Sequence, residues 1–127
     1  MDRAVPGSTS HRSRLAVRVR RHGSLAVVTP EGELDHHTAD LLRAPLEESV
    51  HNGCIHLVVD CSGLEFCDST GLNVLLSARL AAEEAGGRVH LAAMRSAVAR
   101  VFEITGAGAV FAVHDTLDDA LHGLPGG

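Results

Sequence analysis

The run IHLVVD, residues 55–60, decides the architecture. Its apolar residues are consecutive rather than alternating, the pattern of a central strand covered on both faces, and such strands belong to parallel sheets wrapped by helices. Immediately downstream, FCDSTGL at 66–72 places a carboxylate, two hydroxyls and a glycine side by side. Leu72, Leu75, Leu76, Arg79 and Leu80 then follow at helical spacing up to Gly86-Gly87, so the seven residues occupy a turn from strand into helix.

Outward from this centre the pattern repeats. Toward the C-terminus, RVHLAAM at 88–94 reads as a strand. Ser96 is placed to cap a helix carrying Val98, Val101, Phe102 and Thr105 on one stripe, with Gly106 closing it. VFAVH at 110–114 is the last strand, and Thr116 with Asp118 and Asp119 suits a final helix start. Toward the N-terminus, Leu15, Val17 and Val19 alternate with arginines as in a half-buried strand, and HGS joins it to LAVV in a hairpin. PEGELD leads onward to a helix bearing Leu41, Leu42, Leu46, Glu47 and Val50, which ends at Asn52-Gly53. Pro45 lacks the amide that would reach residue 41, which predicts a kink or a late start.

The predicted order is β-β-α-β-α-β-α-β-α, with helices of about 10–16 residues. This is a single α/β domain with a mixed, mainly parallel sheet of about five strands, four helices and an N-terminal β-hairpin. Residues 1–13 read as a flexible Arg-rich arm, 14–122 as the domain, and 123–127 as a flexible end. In open parallel sheets the working surface lies off the carboxyl ends of the strands. Asp35, Asp60, Asp68 and Ser69 all fall in segments that follow a strand.

Composition narrows the function. The 127 residues carry a net charge of −5, but residues 1–22 hold six of the eleven basic residues against Asp2 alone. That leaves five arginines against fifteen acids, a formal −10, on the remainder. With three Phe and neither Trp nor Tyr, an acidic body of this kind offers nucleic acid neither phosphate contacts nor stacking platforms. The Arg-rich start is not followed by a signal-peptide apolar run, and no segment reaches transmembrane length. A cytoplasmic protein without a membrane partner is expected. Cys54, Cys61 and Cys67 form no CxxC pair, which argues against a disulfide framework or a structural zinc site. His36 and His37 are adjacent, so their rings point apart unless the backbone is irregular, and no metal or other cofactor is expected.

Taken plainly, FCDSTGL is a capped turn: Asp68 or Ser69 caps the helix and Gly71 lets the backbone pass close to a neighbour. An esterase elbow, GxSxG, requires glycine two places before the serine, where Cys67 stands. A GxxxxGK[ST] phosphate loop is impossible in a chain without lysine. A receiver domain would use an aspartate like Asp60 with an acid pair and a lysine, and Val17-Arg18-Val19 and Val113-His114-Asp115 supply neither.

GELD (32–35), VVDCSGLEFCDSTGLNVLL (58–76), GGRVHLAA (86–93) and VARVFEITGAG (98–108) together resemble the bacterial anti-sigma factor antagonists of the STAS domain family, over about residues 14–122. The resemblance implies a non-enzymatic partner switch. Ser69 is then the phosphoacceptor of a serine kinase that is itself the anti-sigma factor and supplies the ATP, and a serine phosphatase resets the cycle. Asp35, Asp60, Asp68, Thr70, Gly71 and Asn73 are the residues expected to support or contact the partner, and the chain is expected to be a monomer or weak dimer. Two positions depart from the family. Cys67 replaces a usually aliphatic residue, which reads as a small buried hydrophobe against a redox-sensing thiol. Asn73 stands where a small residue is common, which bears on which kinase is recognised. The alternative is a STAS scaffold or sensor module whose serine carries no switch.

Overall fold

A computed structural model describes residues 14–124; the arm expected at 1–13 and the last three residues of the C-terminal end lie outside them. The elements run β1 (Leu15–His22), β2 (Leu25–Leu34), α1 (Ala39–His51), β3 (His56–Asp60), β4 (Leu64–Cys67), α2 (Ser69–Glu84), β5 (Arg88–Ala92), α3 (Ser96–Thr105), β6 (Ala112–His114) and α4 (Leu117–Leu121). Strand order is β1-β2-β3-β5-β6, with β4 beside the second half of β2. Only the β1–β2 hairpin is antiparallel; the other pairings are parallel. The mixed, mainly parallel sheet with its hairpin and four helices is the architecture the hydrophobic pattern predicts.

Alternation along the strands divides the core. Ala26, Val28, Leu57, Val59, Val89 and Leu91 face α1, α2 and α3. Leu25, Val27, Val58 and Ala92 face the opposite way, against Ala120 of α4. Leu57, Val58 and Val59 are apolar in succession because both faces of β3 are roofed.

Four local expectations are corrected. β2 does not stop at LAVV but continues through Pro30 and Gly32 to Leu34. Glu33 N donates to Arg14 O at 2.9 Å or less, and Gly32 N to Gly63 O, so alternate amides point to β1 and β4. Residue 30 then falls on the latter side between the end of the β3 pairing at Val28 and the start of the β4 pairing at Gly32, so proline costs no ladder bond. The second correction is β4 itself, whose four residues are too few to show a period. Third, of the two outcomes predicted for Pro45 the late start does not occur: α1 begins at Ala39 and runs past it. The orphaned carbonyl belongs to Leu41, which is exposed rather than on the buried face, so water can satisfy it. Fourth, the cap of α3 is Arg95 rather than Ser96, with no side-chain cap bond, and α4 has only five residues.

Candidate functional site at the start of the second helix

Two turns meet at the carboxyl end of β2 and β4. Parallel pairing sets Leu34 opposite Cys67, and Asp68 N donates to Leu34 O at 3.1 Å. Asp35 and Asp68, one residue further along each strand, therefore leave the sheet side by side.

The first turn is locked from within. Thr38 Oγ1 donates to Glu33 O at 2.7 Å and accepts from Asp35 N at 3.0 Å. Asp35 Oδ1 accepts from His37 N at 2.9 Å and Thr38 N at 3.2 Å. Both side chains are buried, so the sequence-predicted Asp35 serves as an internal brace for the turn. Its irregular backbone brings the rings of His36 and His37 to 3.9 Å between centroids, where a regular strand would have parted them.

The second turn starts α2. Asp68 has extended backbone angles and its Oδ1 accepts from Gly71 N at 2.9 Å, so Asp68 is the N-cap and the helix begins at Ser69, three residues earlier than the leucine spacing shows. Ser69 is exposed, Thr70 half-buried and Gly71 buried. A Cβ on Gly71 would sit 2.5 Å from Leu34 Cγ and 3.0 Å from Leu34 O, so the glycine is there to let α2 lie against β2. Asn73, one helical turn after Ser69, is exposed on the same side of α2.

Asp68 Oδ2, the oxygen not used for capping, lies 3.9 Å from His36 Nδ1. Sequence reasoning weighed His36 only as a metal ligand. The signal that pointed to this contact was the position of HH starting two residues past the end of the strand that pairs with LEFC, which required knowing that pairing.

Asp60 does not join this group. It follows Val58 on the sheet face that packs against α4, accepts Ser62 N at 3.1 Å, and with Arg18, Arg20 and Thr29 lines a shallow cavity of about 310 Å³. Beneath the site, burial and then the neighbouring Asp68 charge push the Cys67 thiol up to about 12. Cys61 is pushed up to about 12 as well, by burial first and then by Asp60. Thiols this hard to ionise are packing groups and poor redox sensors.

A STAS domain model matches residues 16–120 of the chain. The chain belongs to the STAS domain family. Among curated STAS relatives, the anti-sigma-F factor antagonist RsfB of Mycobacterium tuberculosis is 34% identical over 115 residues, 89% of this chain and 92% of that protein. The anti-sigma F factor antagonist of Paenibacillus polymyxa is 30% identical over 108 residues, 84% of this chain and 92% of that protein. Among solved STAS structures, the anti-sigma factor antagonist SpoIIAA in its unphosphorylated form superposes with a TM-score of 0.73 at 26% identity, covering 84% of this chain and 93% of that one. No helix among the described residues of this STAS domain is long and apolar enough to cross a membrane.

Proposed function

We propose that this STAS domain is an anti-sigma factor antagonist that works by partner switching through Ser69. One observation carries the reading: Ser69 stands exposed as the first residue of a sixteen-residue helix whose cap is provided by its neighbour, Asp68. The cap leaves the serine hydroxyl to an incoming enzyme, and named relatives with the same domain over most of their length are antagonists of anti-sigma factors.

In this reading the unphosphorylated protein binds an anti-sigma factor that is also a serine kinase, and the sigma factor is freed. The kinase then uses its own ATP. Ser69 Oγ bonds to the γ-phosphorus as the bond to the bridging oxygen breaks; ADP leaves and the hydroxyl proton is released. Unpaired donors and partial positive charge at the helix start favour the phosphoryl group, while Asp68 tempers this by repulsion. Phosphorylation adds about −1.5 to −2 charges. Leaving charge unpaired at a closed interface costs about 2–5 kcal/mol, a loss of affinity of roughly thirty- to several-thousand-fold. The partner is released to recapture sigma, and a serine phosphatase restores the hydroxyl. The chain itself catalyses nothing, needs no cofactor and acts in the cytoplasm.

Phosphosite mapping by mass spectrometry on protein isolated from its host, with and without stress, tests the proposal. A condition-dependent, near-stoichiometric phosphate on Ser69 is expected. Its absence under every condition, in a host that keeps such kinases, makes the protein a constitutive STAS binding module instead.

A further inference from the structure

The imidazole of His36 is two-thirds exposed, with a side-chain accessibility of 66%, and it faces the one Asp68 oxygen that the helix cap does not use. It does not stand there on a loose loop. The buried Asp35–Thr38 turn fixes the backbone on either side of it, the His37 ring lies against it, and the Leu34–Cys67 pairing fixes the turn relative to α2. Among the described residues, Asp68 at the start of α2 and His37 of its own turn both meet His36. Asp35, the remaining acid nearby, has Oδ1 turned to the amides of its own turn.

A phosphoryl group on Ser69 would bring up to two negative charges next to Asp68, itself half-buried. The helix start offsets only about half a charge. The basic side chain that the structure sets against that pole is His36, whose Nδ1 lies 3.9 Å from Asp68 Oδ2 although it stands 33 residues before Ser69 in the chain. We propose that His36 is the charge partner of the phosphoryl group on Ser69, a positioning residue that keeps the modified helix start in its unmodified geometry. This rests on Ser69 being the phosphoacceptor. An imidazole suits the role because both of its ring nitrogens can donate to a phosphate once it carries a proton.

The test uses full-length protein in which phosphoserine is inserted at position 69 during translation, so that no kinase is needed. The second ionisation of the phosphate, ordinarily near 6, is followed by phosphorus NMR. A unit positive charge close to such a group but separated from it by water shifts its ionisation by about half a unit. The value is expected to rise by about 0.5 in His36→Asn and to fall back to or below the wild-type value in His36→Arg, with His37→Asn changing it less. Identical titrations in wild type and His36→Asn would overturn the proposal, as would a rise in His36→Arg equal to that in His36→Asn. Failure to find phosphate on Ser69 in the host sinks the switch but leaves this titration unchanged, so the two failures are distinct.

Discussion

Asp68 divides its carboxylate: one oxygen holds the Gly71 amide at 2.9 Å and the other faces His36 at 3.9 Å. The residue before the exposed serine is thus both the lid of the helix and the negative pole of the site. These two roles separate by mutation. Asp68→Ala is expected to lower stability by about 1 kcal/mol, the value of an N-cap, whereas Asp68→Asn retains capping and stays within a few tenths of wild type. Urea denaturation of both variants decides it; equal losses would mean that the charge, not the cap, stabilises the turn.

Gly71→Ala sets two effects against each other. Alanine is favoured over glycine in a helix by about 1 kcal/mol. Its methyl, however, would lie 2.5 Å from Leu34 Cγ, in a side chain with no exposure, and overpacking of this kind costs about 1–3 kcal/mol. A net loss of stability is expected. Pairing it with Leu34→Ala should recover part of the loss in a double-mutant cycle, and strict additivity of the two changes would show that the methyl meets no obstacle at Leu34.

The switch predicts opposite behaviour for two variants at one position. Ser69→Ala should stay bound to the kinase in the presence of ATP. Ser69→Asp should bind more weakly than the alanine variant, by roughly tenfold or more, since one charge is a partial imitation of a phosphate. Titration calorimetry against the cognate kinase measures both, and equal affinities would remove the switch.

On the α4 side of the sheet, His90 Nδ1 and His114 Nε2 are 3.1 Å apart, bridging β5 and β6. Burial, then the neighbouring His114, Arg88 and His56, lowers the His90 value from 6.5. Well above 6.5 the group is neutral folded or unfolded and gives no pH dependence. As pH falls below 6.5 the unfolded imidazole takes a proton that the folded one resists, so stability declines until pH passes the lowered native value. His90→Gln should therefore show a shallower loss of denaturation midpoint between pH 7 and 5. An unchanged slope would assign the acid sensitivity to other groups.

Cys61 and Cys67 should react with a thiol reagent at neutral pH only as fast as the protein opens, because both are buried and held up to about 12. Rapid labelling of Cys67 in the folded protein would restore the redox-sensing reading.

What the sequence by itself determined is what depends on neighbours a few residues apart. Apolar runs and helical spacing specify the strands, the long helices and the order that makes the sheet parallel, and a DSTG turn after a strand locates Asp68 or Ser69 as the cap of the helix that follows. Tertiary structure decided what depends on register between distant segments. LEFC becomes a strand only because the far end of β2 offers it a partner, and Pro30 is harmless only because it falls between the β3 and β4 pairings. The same pairing sets His36 against Asp68, while strand alternation turns Asp60 to the other face, beside Arg18 and Arg20. Gly71 is required by the side chain of Leu34, thirty-seven residues earlier. Local periodicity encodes which face of an element is apolar; which residue of one element lies across from which residue of another follows from packing, and it exists only once the sheet has closed on its helices.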